Sequence, residues 1–338
     1  MTEQAIVETV RAGDEPAFAA LVEPYRRQLQ VHCYRMLGSV DEAEDLVQET
    51  LLRAWRGRAS FEGRSLLRTW LYRIATNACL NALDRAPRRV MPQDVAPPVT
   101  ATTDASEARE QPGFTLDIPW LQPYPDTLLE PSAPSETEPE AQLVSRETIE
   151  LVFLAALQHL PPRQRAILIL RDVLDWSARE TAEYLEMSLA SVNSAHQRAR
   201  ATMRALQPAG RSQPTADERD ALQSFMDAWE NADTDRMTML LRDDARWAMP
   251  PAPLWFEGRA AIERLYQLFP IDWQGRSFRM VPTAANRQPA AAAYMRPAGE
   301  ATFQLSALHV LRIKRGQIAE VTTFGPELCR TFGLPAAL

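Results

Sequence analysis

Six polar side chains between positions 191 and 200 can do recognition chemistry: Ser191, Asn193, Ser194, Gln197, Arg198 and Arg200. They share the outward arc of one helix if Leu189 to Arg204 is helical. Hydroxyls, amides and guanidinium groups on such an arc hydrogen-bond base edges and phosphates without a rigid pocket, as a helix in the major groove of DNA requires. Leu189, Val192, Ala195 and Ala199 recur on the opposite arc and are expected to face a core. A second set joins Arg68, Arg73, Asn77 and Asn81 to Trp70 and Tyr72. Cations, amides and aromatic rings together can grip phosphates and stack on unpaired bases. Trp70 repeats with Leu67, Leu71 and Ile74 and is expected in the core, whereas Arg73, Asn77 and Asn81 are spaced by four and share a face. Asp45, Gln48 and Glu49 form a third, acidic stripe, which on spacing alone reads equally as a solvated face or a protein-binding one. A fourth set is apolar: Trp247, Met249, Trp255 and Phe256, with Phe303 and His309, are expected to bound a pocket. Asp243 or Asp244 with His309 would suffice for acid–base chemistry. No spacing makes them converge, and a pocket without turnover is the expectation.

These side chains need elements to hold them. Pro161 and Pro162 suit the first turn of a helix, where a missing N–H costs nothing. Ala166, Ile167, Leu170, Val173 and Leu174 then share a face. Ser177 with Glu180 is a capping box that opens a helix from Ala178 to Leu185. A short turn at Glu186 and Met187 follows, and Ser188 caps the third helix, so residues 160 to 204 read as a helix-turn-helix. Glu186 stands where glycine is common, so its backbone is expected to avoid the left-handed region. Upstream, Asp41 with Glu44 is expected to cap a helix to Trp55 with Ala43, Leu46, Val47, Leu51 and Ala54 inward. A second amphipathic helix is expected from Leu66 to Arg85, and another from Glu140 to His159. His32 reads as packed, and His196 as a candidate phosphate contact.

A length of 338 residues calls for two or three domains. Boundaries are expected at 1–85 and 141–206 for two all-α domains, the second a helix-turn-helix. Residues 212–338 are expected to form an α+β cone of helices on a curved antiparallel sheet, with a hairpin at Arg315-Gly316. Residues 86–140, rich in Pro, Ala, Thr and acids, read as a linker. An apolar island from Ile118 to Leu129, including Trp120 and Tyr124, can dock onto a folded surface. Net charge is −7 overall, and residues 86–143 alone, with 3 Arg against 10 acids, account for −7. The acidic balance therefore does not count against DNA binding by the flanking blocks. Cys33, Cys79 and Cys329 lack metal-ligand or framework spacing, so neither disulfides, metal nor cofactor are expected. No membrane span or signal peptide is read, and a cytoplasmic location is expected.

Three segments in order carry a resemblance: DEAEDLVQETLLRAW (Asp41 to Trp55), FEGRSLLRTWLYRIATNACLNALDR (Phe61 to Arg85) and the helix-turn-helix. Together they resemble an extracytoplasmic-function sigma factor, the promoter-recognition subunit of bacterial RNA polymerase. The C-terminal block, through AMPPAPLWFEGRAAI and its patterning, resembles a SnoaL-like, ketosteroid-isomerase-type domain. The resemblance implies core RNA polymerase as partner, through the β′ clamp helices and the β flap, and promoter DNA as ligand. It assigns Asp45, Gln48 and Glu49 to the clamp helices and Arg68, Arg73, Asn77 and Asn81 to the minus-ten element. A flipped base would enter the Phe61 to Ser65 loop, and the recognition helix would read the minus-thirty-five element. Asn193 and Ala195 stand where more basic members carry Arg, which leaves phosphate anchoring to Arg198, Arg200 and Arg204. An anti-sigma factor, or a small apolar ligand at the C-terminal block, are further partners it admits. The chain is then a non-enzymatic transcription subunit. Competing readings are a ligand-sensing helix-turn-helix regulator and a SnoaL-like cyclase or isomerase with accessory helices. The paired N-terminal segments argue against both.

Overall fold

A computed structural model describes residues 8, 11–61, 67–85, 87–103, 118–129, 148–206, 216–268 and 275–338. The chain divides into two compact units, Met1–Arg89 with Leu128–Ala209, and Val90–Thr127 with Gly210–Leu338.

The first unit is helical: α1 Glu15–Val22, α2 Arg26–Leu37, α3 Val40–Gly57, α4 Leu67–Leu83, α5 Leu151–Gln158, α6 Pro162–Leu168, α7 Ala178–Tyr184 and α8 Leu189–Leu206. Gly38 ends α2 in a left-handed conformation at φ 72°. That leaves Ser39 extended, and its hydroxyl accepts from Glu42 N at 3.3 Å. Ser39 is therefore the cap of α3, one residue before its first helical position. The expected Asp41–Glu44 cap is corrected, because the end of the preceding helix fixes where this one starts. Leu29, Cys33, Met36, Val47, Leu71, Ala75 and Cys79 form the buried centre of α2, α3 and α4. Of the helix expected from Glu140, the structure holds Leu151–Gln158; residues 140–147 lie outside the described residues.

Side chains over 100 residues apart tie the two helical blocks of this unit together. Arg165 is 2% exposed and donates to Met36 O, to Gln158 Oε1 at 2.7 Å and to Leu160 O at 3.2 Å. Burial pushes its guanidinium pKa down to about 10, so it stays charged at neutral pH. Arg35 donates to Thr148 Oγ1 at 2.9 Å. Buried Tyr184 donates its hydroxyl to Tyr72 O at 2.7 Å. Trp176 lies against both tyrosine rings, 6.4 Å from Tyr72 and 5.0 Å from Tyr184.

In the second unit, α9 Ala216–Glu230, α10 Thr234–Leu240 and α11 Arg259–Leu268 accompany six strands: β1 Leu241–Ala248, β2 Trp255–Glu257, β3 Ser277–Ala285, β4 Gln288–Arg296, β5 Gln304–Lys314 and β6 Gln317–Phe324. The strand order is β2-β1-β6-β5-β4-β3. Pairing is antiparallel throughout except that β1 runs parallel to β6. The sheet is thus mixed rather than purely antiparallel. A parallel pair needs a long crossover, and the whole β2–β5 excursion supplies it, so alternation along each strand could not reveal it. Arg315 (φ 53°) and Gly316 (φ 74°) make the expected β5–β6 hairpin, and Asn286 (φ 57°) with Arg287 (φ 59°) makes the β3–β4 one. Left-handed pairs match the twist of the strands they join.

Of the stretch expected as a linker, the described residues 90–103 and 118–127 belong to this unit. Val99 is fully buried, donates to Trp255 O at 2.8 Å and accepts from Glu257 N at 3.1 Å, extending the edge beyond β2. Trp255 Nε1 donates to Ala96 O at 2.9 Å, and Arg264 donates to Ala101 O at 2.5 Å and Thr103 O at 2.8 Å. Trp120, Leu121 and Tyr124 of the apolar island are buried. Tyr124 N donates to Asn286 Oδ1, and Asn286 N to Tyr124 O, both at 2.8 Å. Residues 104–117 and 130–147 lie outside the described residues.

Candidate nucleic-acid and polymerase interfaces

The α7–α8 turn is set by its caps. Ser177 Oγ accepts from Glu180 N at 3.1 Å while Glu180 returns a carboxylate to Ser177 N at 2.7 Å. Hydrogen bonds to the carboxylate from the Ser177 side chain and from its backbone N–H hold Glu180 below its usual pKa. Glu186 nevertheless adopts φ 54°, which corrects the expectation of a right-handed backbone there. With Met187 N bonded to Ala182 O at 2.9 Å, the chain must reverse within two residues, and only a left-handed residue closes that turn. The geometry overrides the residue's preference. Ser188 Oγ accepts from Ser191 N at 3.1 Å and starts α8.

Along α8, Val192, Ala195, Ala199 and Met203 are buried, and Val192 and Ala195 pack with Ile167 and Ala182. Ser191, Asn193, Ser194, Gln197, Arg198 and Arg200 are all exposed, so the sequence-derived set occupies one side of one helix. Leu189 departs from expectation. It is 50% exposed rather than inward, because in the first turn no preceding turn covers it. His196 bonds Asp172 at 2.7 Å, and Arg200 lies 3.5 Å from the same carboxylate. Asp172, in the wide π-type turn Ile169–Val173 after α6, thus neutralises part of the basic face. The sequence reading missed it, since the pairing crosses a turn of unusual pitch.

On α4, Arg68, Arg73, Asn77 and Asn81 are exposed. Arg68 lies over the Tyr72 ring at 5.3 Å, and Arg73 pairs with Glu186 at 3.3 Å. Trp70 packs 5.0 Å from Phe61 and is half-buried; residues 62–65 of the expected base-capturing loop lie outside the described residues. On α3, Asp45 and Gln48 are exposed and Glu49 is half-exposed, held to Arg53 at 2.6 Å.

The expected pocket in the second unit is only partly assembled. Trp247 Nε1 donates to Thr323 Oγ1 at 2.9 Å, and Thr323 bonds His309 Nδ1 at 2.8 Å. The Thr323 hydroxyl thus links the indole of Trp247 to the imidazole of His309. The imidazole is 2% exposed among Phe225, Trp229 and Trp247, with ring centroids at 5.6, 4.9 and 6.1 Å. Burial drives its pKa down to about 3. Phe256 and, at the margin, Met249 belong to the same core. Trp255 does not: adjacent strand residues point to opposite faces, and its ring is buried apart from that core, with Nε1 bonded to Ala96 O and Arg246 over the ring. Phe303 is also elsewhere, with the guanidinium groups of Arg279 and Arg296 5.3 and 4.6 Å from its ring centroid. Asp243 and Asp244 are exposed and paired with Arg259 at 2.8 Å and Arg242 at 2.7 Å. Carboxylate and imidazole therefore do not converge.

Residues 21–89 match the Sigma-70 region 2 family, 150–203 the Sigma-70 region 4 family and 222–321 the SnoaL-like domain family. The ECF RNA polymerase sigma factor SigG of Mycobacterium tuberculosis (strain ATCC 25618 / H37Rv) is 42% identical over 340 residues, covering 97% of this chain and 88% of that protein. SigW of Bacillus subtilis (strain 168) is 31% identical over 198 residues, covering 59% of this chain and 92% of its own. The crystal structure of the Mycobacterium tuberculosis extracytoplasmic function sigma factor SigJ has the same fold, with a TM-score of 0.58 at 19% identity over 94% of this chain and all of that one. Both sigma regions and the SnoaL-like domain match family models, and a relative 42% identical spans 97% of the chain, so the chain belongs to the extracytoplasmic-function family of RNA polymerase sigma factors.

Proposed function

We propose that three exposed faces divide the work of this sigma factor. Asp45, Gln48 and Glu49 on α3 bind the β′ clamp helices of core polymerase. Arg68, Arg73, Asn77 and Asn81 on α4 hold the minus-ten element, and the polar side of α8 reads the minus-thirty-five element. The two elements lie roughly 25 base pairs apart, on the order of 80 Å of B-DNA, whereas α3, an 18-residue helix, spans only about 27 Å. Helical blocks joined through Tyr184–Tyr72 and Arg73–Glu186 cannot serve both at once, so binding to polymerase separates them. The work is cytoplasmic, where the polymerase is; among the described residues no helix is long and apolar enough to cross a membrane.

One observation carries a regulatory reading of the SnoaL-like domain. The residues that follow the region 2 block, Val90–Thr127, belong to the same compact unit as that domain. A tether held on a folded sheet limits how far the blocks it joins can part, without any catalysis. Run-off transcription with core enzyme tests both halves. Replacing Asp45, Gln48 and Glu49 by Ala should abolish co-purification with core while helicity stays intact. Val99→Pro removes the N–H bonded to Trp255 O, frees residues 96–103 to protease and should raise transcription. Unchanged core binding by the triple variant, or a released strap with unaltered transcription, contradicts the corresponding half.

A further inference from the structure

The recognition helix opens with two apolar residues on its accessible surface. Leu189 is 50% exposed and Ala190 is exposed, directly after the Ser188 cap. Ala190, Asn193, Ser194 and Gln197 succeed one another at i, i+3, i+4 and i+7, so Ala190 heads the same row as the amides. Leu189 flanks it one turn before Asn193. Side chains of a helix lean toward its N-terminus, and it is the N-terminal end of a recognition helix that meets base edges. Neither residue can donate or accept a hydrogen bond. The major groove offers one apolar group, the C5-methyl of thymine.

We infer that Leu189 and Ala190 form an apolar step that reads the C5-methyl of a thymine in the minus-thirty-five element. This rests on the reading that α8 enters the major groove. Leu189 precedes Asn193 by four residues, roughly 6 Å along the helix, which puts the thymine one or two base pairs from the pair that Asn193 contacts. The small side chain of Ala190 lets the helix sit close enough for Leu189 to cover the methyl. In the free protein half of the Leu189 surface is open to water, so it is available to the methyl.

Uracil isolates the methyl, since it pairs as thymine does and lacks only that group. A promoter is selected from a randomised library by the wild-type holoenzyme, and each thymine of its upstream element is replaced singly by deoxyuridine. Holoenzyme binding is then measured for the wild type, for Asn193→Ala, for Gln197→Ala and for the double variant Leu189→Ser with Ala190→Ser. We expect one thymine whose replacement weakens wild-type binding about three- to fivefold, the order for burying one methyl. The double variant should bind thymine and uracil promoters alike, with unchanged helicity. Uracil tolerated at every position, with Asn193→Ala and Gln197→Ala still harmful, overturns the inference and leaves the reading of α8 intact. An equal uracil penalty in the double variant overturns it too, because another group then touches the methyl. If Asn193→Ala and Gln197→Ala are also silent, the groove placement of α8 itself is wrong.

Discussion

Glu186 shows how one residue can oppose its own preference. A non-glycine side chain in the left-handed region costs about 1–2 kcal/mol, and here the turn between α7 and α8 demands it. The ion pair with Arg73 offsets little, since the side chains are 82% and 49% exposed and solvent screens them. Glu186→Gly should therefore stabilise the helical unit by about 0.5–1 kcal/mol, and Glu186→Val should destabilise it by more. Thermal unfolding of the two variants checks the sign; a lower melting temperature for the glycine variant would mean the ion pair dominates. Glu186→Gly also frees Arg73 for DNA.

Among the elements, α8 divides its surface by position rather than by composition. Asn193 stands on the exposed row proposed to face a groove, and an amide pairs bidentately with adenine. Arg200, two turns further on, is shared with Asp172 and suits a phosphate. Asn193→Ala should cost about 1–3 kcal/mol and relax specificity at one promoter position, whereas Arg200→Ala should weaken every sequence alike and lower the salt slope by about 1. Binding across a promoter library at two salt concentrations separates them, and identical behaviour of both variants refutes the division. The strap makes the complementary point. Its composition is that of a linker, yet Val99 finds a place in a hydrophobic core because the β2 edge presents unpaired backbone groups.

At the scale of the whole molecule, each compact unit carries one buried neutral histidine. His32, fully buried with Nε2 2.8 Å from Thr76 Oγ1, and His309 both have pKa values lowered to about 3, chiefly by burial. In the unfolded chain each titrates near 6.5. Between those values the unfolded state binds more protons, so stability falls as pH drops below about 6.5 and is insensitive to these groups above it. Each unit should lose about 1.4 kcal/mol per pH unit from its histidine, or roughly 2 kcal/mol by pH 5. Calorimetry of the full chain from pH 7.5 to 5 checks this, and His309→Phe should flatten the slope only for the transition of the sheet unit. A transition that keeps its slope in that variant would place the titration elsewhere.

By itself the sequence determined the family, the two helical blocks and the outward residues of α3, α4 and α8. Periodicity and capping are local, and a helix face is fixed by residues three and four apart. The Ser177–Glu180 box and the buried stripe Val192, Ala195 and Ala199 were legible for that reason. Tertiary structure alone decided the rest. The parallel β1–β6 pair, the Arg165 and Tyr184 bridges, the Asp172 pairing and the strap on the β2 edge join residues that no local pattern connects. Trp255 and Phe256 read alike as pocket residues, but alternation along the strand lets only one ring face the core, and pairing with β1 and Val99 decided which. Leu189 fitted the inward spacing, yet the missing turn before it leaves it open to solvent, a fact of three-dimensional coverage that spacing does not encode.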